Sequence, residues 1–364
     1  MKTIYDLTIS TVTPLHIGSG QTLERNFDYA VHERQTWVID MDAFAEQMLG
    51  EGGSRFERML QTVPPGQLLQ KEDFQPNSPL FRYVLRGVPR AAATGAAIQA
   101  HVKNVYDQPY IPGSSLKGAL RTLLLRHAYA ESRLKLSATN LNHSRSWAAQ
   151  NLERELLGRD PNHDLLRGLH ISDSTPLQAD QLLLLPAQVF GRRAAGAPID
   201  IECVRGDAIF SATLTIDDYL FENPEAQQLL KFGSKRDWLT NLPQLAHTQA
   251  TERIKEEIAF YKARPGSRAA SFYRQLAGLT KQMPAASFLL QVGWGGGWDS
   301  KTLGYLVSPE DRSALVDRYR LGRGQYDKNK PFPSSRRAIA RGTGDTAEPQ
   351  VPLGWLLVEM KGRK

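Results

Sequence analysis

The chain has 364 residues, 41% of them hydrophobic and 23% charged, a balance that excludes disorder of the whole chain and leaves room for two domains or one enlarged domain. No run of eighteen apolar residues appears, and the N-terminal MKTIYDLTIST alternates like a strand where a signal peptide would carry an apolar block, so no membrane is expected and the expected location is the cytoplasm. The lone Cys203 excludes an intrachain disulfide and a multi-cysteine zinc cage, and the net charge of +7 suits an acidic partner without proving one.

In chain order, a first strand is expected over Thr3 to Val12, followed by the turn-rich TPLHIGSG. Strands near Phe27 to His32 and Thr36 to Ile39 read as a hairpin across Glu33-Arg34-Gln35, and Asp42 reads as the N-cap of a helix running to Leu49. A polar stretch with short helical pieces continues to Pro79. IPGSSLKGALR (111–121) then opens the clearest helix of the first half: Leu116, Leu120, Leu123, Leu124 and His127 share one face, Lys117 and Arg121 an adjoining one, and Ser114 or Ser115 is the expected cap. Residues 137–169 read as a polar, helical inserted subdomain.

The next segment is strand-rich. LHISDST and QLLLLPAQVF precede GRRAAGAP, and IDIECVRGDAIFSATLTI (199–216) is expected to fold as a hairpin turned at Arg205-Gly206-Asp207. Helices are expected around Leu245 to Ala263 and after Ser267, then a strand FLLQVGW, the glycine-rich GWGGGWDSKTLG and a closing strand PLGWLLVEM. Strands and helices mix without a strict βαβ repeat, which gives an α+β class.

Charge is concentrated between Arg318 and Arg341, where Arg318, Arg320, Arg323, Lys328, Lys330, Arg336, Arg337 and Arg341 face only Asp327. That local excess equals the net charge of the chain. Tyr319, Tyr326 and Phe332 interleave with it, so the segment reads either as a solvated basic loop or as a surface for phosphates and stacked bases.

Conventional catalytic patterns are missing. GWGGGWDSKTLG fits neither a dinucleotide fingerprint nor a P-loop, the eight histidines show no metal-pair spacing, and no nucleophile elbow occurs. Glu24, Asp28, Asp40, Asp42 and Asp173 lie near turns, where capping and catalysis are both open to a carboxylate. Neither a metal nor a cofactor is expected.

Three glycine-bearing turns share one logic. His16-Ile17-Gly18-Ser19-Gly20, Pro112-Gly113-Ser114-Ser115 with Lys117, and Gly293–Gly297 with Lys301 each offer backbone N–H groups, small hydroxyls and a nearby His or Lys. Each alone is compatible with a plain tight turn. At the second, a helix N-terminus adds partial positive charge. Together with the basic aromatic segment they point to binding of a nucleic-acid backbone.

The order TPLHIGSG, IPGSSLKGALR, FGRRAAGAPIDIECVRG, GWGGGWDSKTLG, FPSSRR and PLGWLLVEM resembles the RAMP proteins of type III CRISPR effectors, in the branch that caps the 3′ end of the guide in type III-A (Csm) complexes. The resemblance implies a modified ferredoxin-like (RRM-like) fold with helical insertions, in two units, the second degenerate; we divide them as 1–216 and 217–364. It implies a place at the distal end of a backbone of related subunits, binding crRNA and bounding target RNA. The implied protein partners are the neighbouring backbone subunit, the small helical subunit and host nucleases. By position, the RNA-contacting residues it implies are His16, Gly18, Ser19, Ser114, Ser115, Lys117, Arg121, Trp294, Gly295, Gly296, Lys301, Arg336 and Arg337. Backbone subunits of these effectors cut target RNA with an aspartate in an N-terminal loop, but here GSGQTLERNFDY offers only Glu24 and Asp28, and no motif equates either with it. The implied role is a noncatalytic cap; the alternative is a metal-independent endoribonuclease using His16.

Overall fold

Period-two burial starts the fold: in β1 (Lys2–Thr11), Leu7, Ile9 and Thr11 point into the core while Asp6 and Thr8 face solvent. The computed structural model describes residues 1–52, 62–90, 96–191, 195–264, 266–321, 332–342 and 346–363. Residues 192–194 of FGRRAAGAP, and residues 322–331 with Arg323, Tyr326, Lys328 and Lys330 of the basic segment, lie outside these.

Two sheets organise the described residues. The first is antiparallel, in the order β11 (Ser287–Gln291), β14 (Trp355–Gly362), β1, β10 (Ile209–Asp217) and β7 (Leu169–Ile171). Ile9 stands opposite Phe210 on one side and Val358 on the other, so both neighbours of β1 bury the same face. The second sheet runs β2 (Gly18–Glu24), β6 (Ala97–His101), β9 (Ala195–Val204), β8 (Leu182–Gly191), β5 (Phe81–Arg86), β4 (Gln35–Ile39), β3 (Tyr29–His32). To β8 it adds β12 (Ser335–Arg341), which pairs with β13 (Glu348–Val351).

Among the described residues, the helices of eight or more residues are α1 (Met41–Gly52), α2 (Gly113–Glu131), α3 (Gln150–Leu157), α4 (Leu242–Tyr261), α5 (Arg268–Thr280) and α6 (Pro309–Arg318). With α2 between β1 and β7, and α4 and α5 between β10 and β11, the first sheet runs β-α-β-β-α-β-β in chain order, the β-α-β-β-α-β order with the additional edge strand β11 inserted before β14. Leu116, Leu120, Leu123 and Leu124 of α2 join Ile9, Phe210, Leu214 and Val358 in one core. Each sheet takes strands from both sides of residue 216: β11 and β14 enter the first, β12 and β13 the second. The division drawn after residue 216 therefore does not coincide with a boundary between sheets.

Several local expectations are corrected. The stretch 199–216 is not a hairpin, because β9 pairs with β8 and β6 while β10 pairs with β1 and β7. The turn residues are right, with Asp207 at φ 65°, but Thr11 holds the turn from outside: its hydroxyl donates to Arg205 O at 2.7 Å and its carbonyl accepts from Asp207 N at 2.6 Å, so the two strands part into different sheets. Asp40, not Asp42, caps α1, its carboxylate accepting from the N–H of Asp42 and Ala43 at 3.1 and 3.0 Å. Gly18, Ser19 and Gly20, read as part of a turn, begin the edge strand β2 (GSGQTLE), whose residues are nearly all exposed and so lack alternation. Strands β5 and β6 lie between Pro79 and Ile111, a stretch to which the sequence reading assigns no element. The helix expected after Ser267 is α5, and Ser267 itself caps it, accepting from Ala270 N at 3.1 Å.

Candidate nucleic-acid interface

Residues 13–17 leave β1 and are laced to other segments along their length. Gly354 N donates to Pro14 O (2.9 Å), Leu15 N to Val204 O (2.9 Å), Val102 N to Ile17 O (2.8 Å) and Trp294 N to His16 O (2.7 Å). The last bond clamps the first glycine turn to the third. At Gly293 the backbone has φ 75°, and a Cβ there would lie 2.4 Å from His16 O, so only glycine fits.

Beneath this clamp lies a buried polar cluster around Glu202, a fully buried residue. Its carboxylate accepts from the Tyr83 hydroxyl (2.7 Å), His101 N (2.8 Å) and Lys103 Nζ (2.5 Å), and its carbonyl accepts from His16 Nδ1 at 2.6 Å. His101 Nδ1 in turn accepts from Ile17 N at 3.1 Å. Burial lowers the pKa of His16 and drives that of His101 well below the ordinary imidazole value, so both are neutral at pH 7. The Glu202 carboxylate has its buried cation in Lys103, as a buried charge requires.

The mouth of α2 departs from expectation. No serine caps it; Gly113 N donates to Asp173 Oδ1 at 2.8 Å, so the chain's own carboxylate occupies the positive helix end. Gly113 is pressed against β7 and its following turn, where a Cβ would lie 2.3 Å from Ile171 O. Relieved of capping, Ser114 and Ser115 face outward. With Gly118, Ala119 and Thr122, one and two turns on, they line one wall of a cleft of about 930 Å³. His16, Gly18 and Gly20 line a second wall, and Gly293, Trp294, Ser300 and Lys301 a third. The three glycine-bearing turns, far apart in sequence, thus meet in one place.

The third wall is fixed from behind. Arg126 of α2 donates to Thr302 O at 2.7 Å and to Asp299 O, and Arg253 donates to Gly296 O at 3.5 Å. Arg253 and Arg336 share two carboxylates, Glu257 (2.5 and 2.6 Å) and Asp299 (3.3 and 3.2 Å), in a quartet whose side chains are all nine-tenths buried or close to it. Arg337 stacks its guanidinium 5.0 Å from the Trp294 ring, whose edge meets His16 at 6.0 Å. Burial and the charge of Arg337 push the Lys301 ammonium pKa down.

Of the residues singled out by sequence, His16, Gly18, Ser114, Ser115, Trp294 and Lys301 line the cleft. Arg337 backs Trp294, Gly295 packs on Leu353, and Gly296 meets Ser300 and Arg253. Ser19, on exposed β2, donates to Ala100 O at 3.3 Å. Arg336 is turned into the buried quartet. Lys117 and Arg121 line a separate depression of about 520 Å³, where Arg121 pairs with Asp164 (2.8 Å) and Glu153 (3.2 Å). In the basic segment Arg318 also points inward, donating to Ala138 O and Leu141 O, and Tyr319 donates to Asn142 O at 2.5 Å. The solvated-loop picture does not hold for these residues.

Sequence reasoning missed Arg126, Glu202, Arg253, Glu257 and Asp299. Arg126 follows three leucines in a helix, and Arg253 and Glu257 stand four apart; both are signals of a charge that must be paired in the interior. Three of the candidate acids are held in hydrogen bonds to backbone N–H groups: Asp28 accepts from Glu24 N at 2.7 Å, Asp40 caps α1 and Asp173, remote in sequence, caps α2. Among the described residues no group of three His, Cys, Asp or Glu could hold a metal, and no helix is long and apolar enough to cross a membrane.

Comparison with known proteins places this architecture. The chain is 23% identical over 350 residues, 86% of each chain, to "CRISPR system Cms protein Csm5" of Mycobacterium tuberculosis (strain CDC 1551 / Oshkosh). It is 23% identical over 324 residues, 84% of this chain and 74% of the relative, to the protein of the same name from Methanocaldococcus jannaschii. In three dimensions it is similar to a chain in a cryo-EM structure of a Csm–crRNA–target RNA ternary complex of a type III-A CRISPR–Cas system, with TM-score 0.68, 22% identity and coverage of 98% of this chain and 100% of that one. The crystal structure of T. onnurineus Csm5 aligns with TM-score 0.64, 21% identity and coverage of 96% and 99%. The model of the RAMP superfamily matches residues 8–298, spanning both His16 and the glycine-rich loop that closes the cleft; the chain belongs to the RAMP superfamily.

Proposed function

We infer that the chain is a noncatalytic crRNA-binding subunit of a type III-A (Csm) effector in the cytoplasm, capping the 3′ portion of the guide and contributing to assembly, guide maturation and target-RNA binding in antiviral defence. The neighbouring backbone RAMP subunit and the small helical subunit are its protein partners in this reading, with host nucleases docking to trim the guide. The relatives named Csm5 and the fold shared with a chain of a crRNA-bound complex support it. The observation that carries it is the convergence of the three glycine-bearing turns on one cleft. Small residues along the walls let a sugar–phosphate backbone approach closely, no carboxylate lines the cleft among the described residues, and Lys301 supplies a cation. We assign guide contact to His16, Gly18, Ser114, Ser115, Trp294 and Lys301, with Gly295, Gly296 and Arg337 shaping the loop and Ser19 at the rim. Arg336 supports the loop from inside, Arg121 serves the α2–α3 contact through Glu153, and Lys117 lies beside it in the depression, outside the cleft.

The chain purified from cells carrying its effector should bring down small RNA of defined 3′ boundary, released with a steep dependence on salt and little dependence on guide sequence. Copurification of protein partners without RNA would refute this role. The nuclease reading makes His16 a base that needs an acid nearby, and its ring neighbour His101 is buried and neutral. Cutting of labelled RNA by the purified chain, lost in His16→Ala, would reinstate it.

A further inference from the structure

His16 presents a different chemistry from the cations usually sought in an RNA groove. Its Nδ1 lies 2.6 Å from the carbonyl of Glu202, and a carbonyl oxygen only accepts, so Nδ1 carries the proton. In the neutral ring Nε2 is then a lone-pair acceptor. Neutrality is enforced by burial, with Lys103 acting in the same direction and Glu202 opposing it. The tautomer is held firmly, since Glu202 is itself fixed by Tyr83, Lys103 and the backbone of His101.

Nε2 faces Gly18: a Cβ at that position would stand 3.3 Å from it, and both residues line the cleft. His16 is 3% exposed, and glycine here keeps a side chain from closing the remaining approach to the acceptor from the cleft. A phosphate offers only acceptor oxygens and has nothing to give such a nitrogen. Along the backbone of an RNA strand the group that can donate is the ribose 2′-hydroxyl, and DNA lacks it. Base N–H groups also donate, but which base carries one at a given place changes with sequence, whereas every ribonucleotide carries the hydroxyl. The glycines and serines around His16 suit a backbone running past the ring more than a slot closed around one base.

Building on the reading of the cleft as an RNA site, we propose that His16 Nε2 accepts a hydrogen bond from a ribose 2′-hydroxyl and makes this cleft select RNA over strands lacking that donor. His16 is then a specificity determinant, distinct from the cations that supply affinity. The full-length chain is titrated with a labelled single-stranded RNA and with the same sequence carrying 2′-fluoro sugars, which remove the donor. Wild type should bind the RNA about fivefold more tightly, the worth of one neutral hydrogen bond. His16→Asn keeps a side-chain N–H in reach of the Glu202 carbonyl and has no acceptor at the Nε2 position, its Oδ1 lying one atom nearer the backbone; it should bind both strands equally, at the wild-type affinity for the 2′-fluoro strand.

Equal wild-type affinity for the two strands overturns the proposal, and that comparison decides the matter even where His16→Asn does not fold. A preference that follows base identity and ignores the 2′ position overturns it as well. Failure of wild type to bind either strand instead refutes the RNA reading of the cleft on which the proposal stands.

Discussion

Helix α2 separates two basic surfaces built on opposite principles. On one side Lys117 and Arg121 look onto a depression lined by five cations and three carboxylates, where Arg121 is held by Asp164 and Glu153. On the other, Ser114, Gly118 and Thr122 look into a cleft with Lys301 as the cation among its lining residues and no carboxylate. Counting charge would choose the depression. There Arg121 and Arg159 are already paired within the fold and three carboxylates would face a polyanion, while the cleft keeps its carboxylates underneath, where Glu257 and Asp299 neutralise Arg253 and Arg336 and leave the surface glycine-rich and uncluttered. A basic residue marks a polyanion site only when nothing in its own chain answers it.

The largest effect that sharpens this contrast is on the support of the cleft. Glu257→Ala leaves two buried guanidiniums sharing Asp299, with only the half-exposed Glu256 beside Arg253 to add to it, and should cost about 3–5 kcal/mol of stability in denaturant unfolding. A loss below about 1 kcal/mol would show that the quartet does not support the glycine-rich loop. Next, Gly118→Glu places an anion on the cleft wall at a position where an added Cβ meets nothing within 4 Å. RNA affinity should fall about tenfold or more, roughly 1.4 kcal/mol, while the melting temperature holds or rises, because glycine within a helix costs about 0.5–1 kcal/mol relative to better helix formers.

Smaller still, Arg121→Ala breaks two partly exposed ion pairs and should cost about 1 kcal/mol or less, with RNA affinity changed by less than about threefold. A large loss of RNA binding here, with the fold intact, would move the binding surface to the depression. The gentlest probe is pH. His16 and His101 both have lowered pKa values in the folded chain, so between the ordinary imidazole value of 6.5 and their folded values the unfolded chain binds more protons. Stability is complete above pH 6.5 and declines as pH falls below it. A melting temperature flat from pH 7 to about 5.5 would contradict the buried neutral pair.

Much of this was legible from sequence wherever one segment decides its own structure. The α2 leucines, the helix after Ser267 and the β1 alternation rest on local periodicity or local hydrogen bonding, and each appears as read. The three glycine-bearing turns were visible for the same reason, since their composition announces close backbone approach. What escaped depended on a partner remote in sequence. The capping of α2 by Asp173 needs β7 alongside, and the parting of β9 from β10 needs Thr11 beside Arg205. The burial of Arg336 needs α4 to bring Glu257 within 2.6 Å. Nothing in the residues around Lys117 and Arg121 says that Asp164, more than forty positions away, will claim the arginine.

The measurement that bears most directly on the cleft is zero-length ultraviolet crosslinking of bound guide RNA to the chain, read by mass spectrometry of the peptides. Crosslinks should fall on the peptides carrying His16, Ser114–Ser115 and Trp294. Crosslinks confined to Lys117–Arg121 and residues 150–170, with none on those cleft peptides, would contradict it.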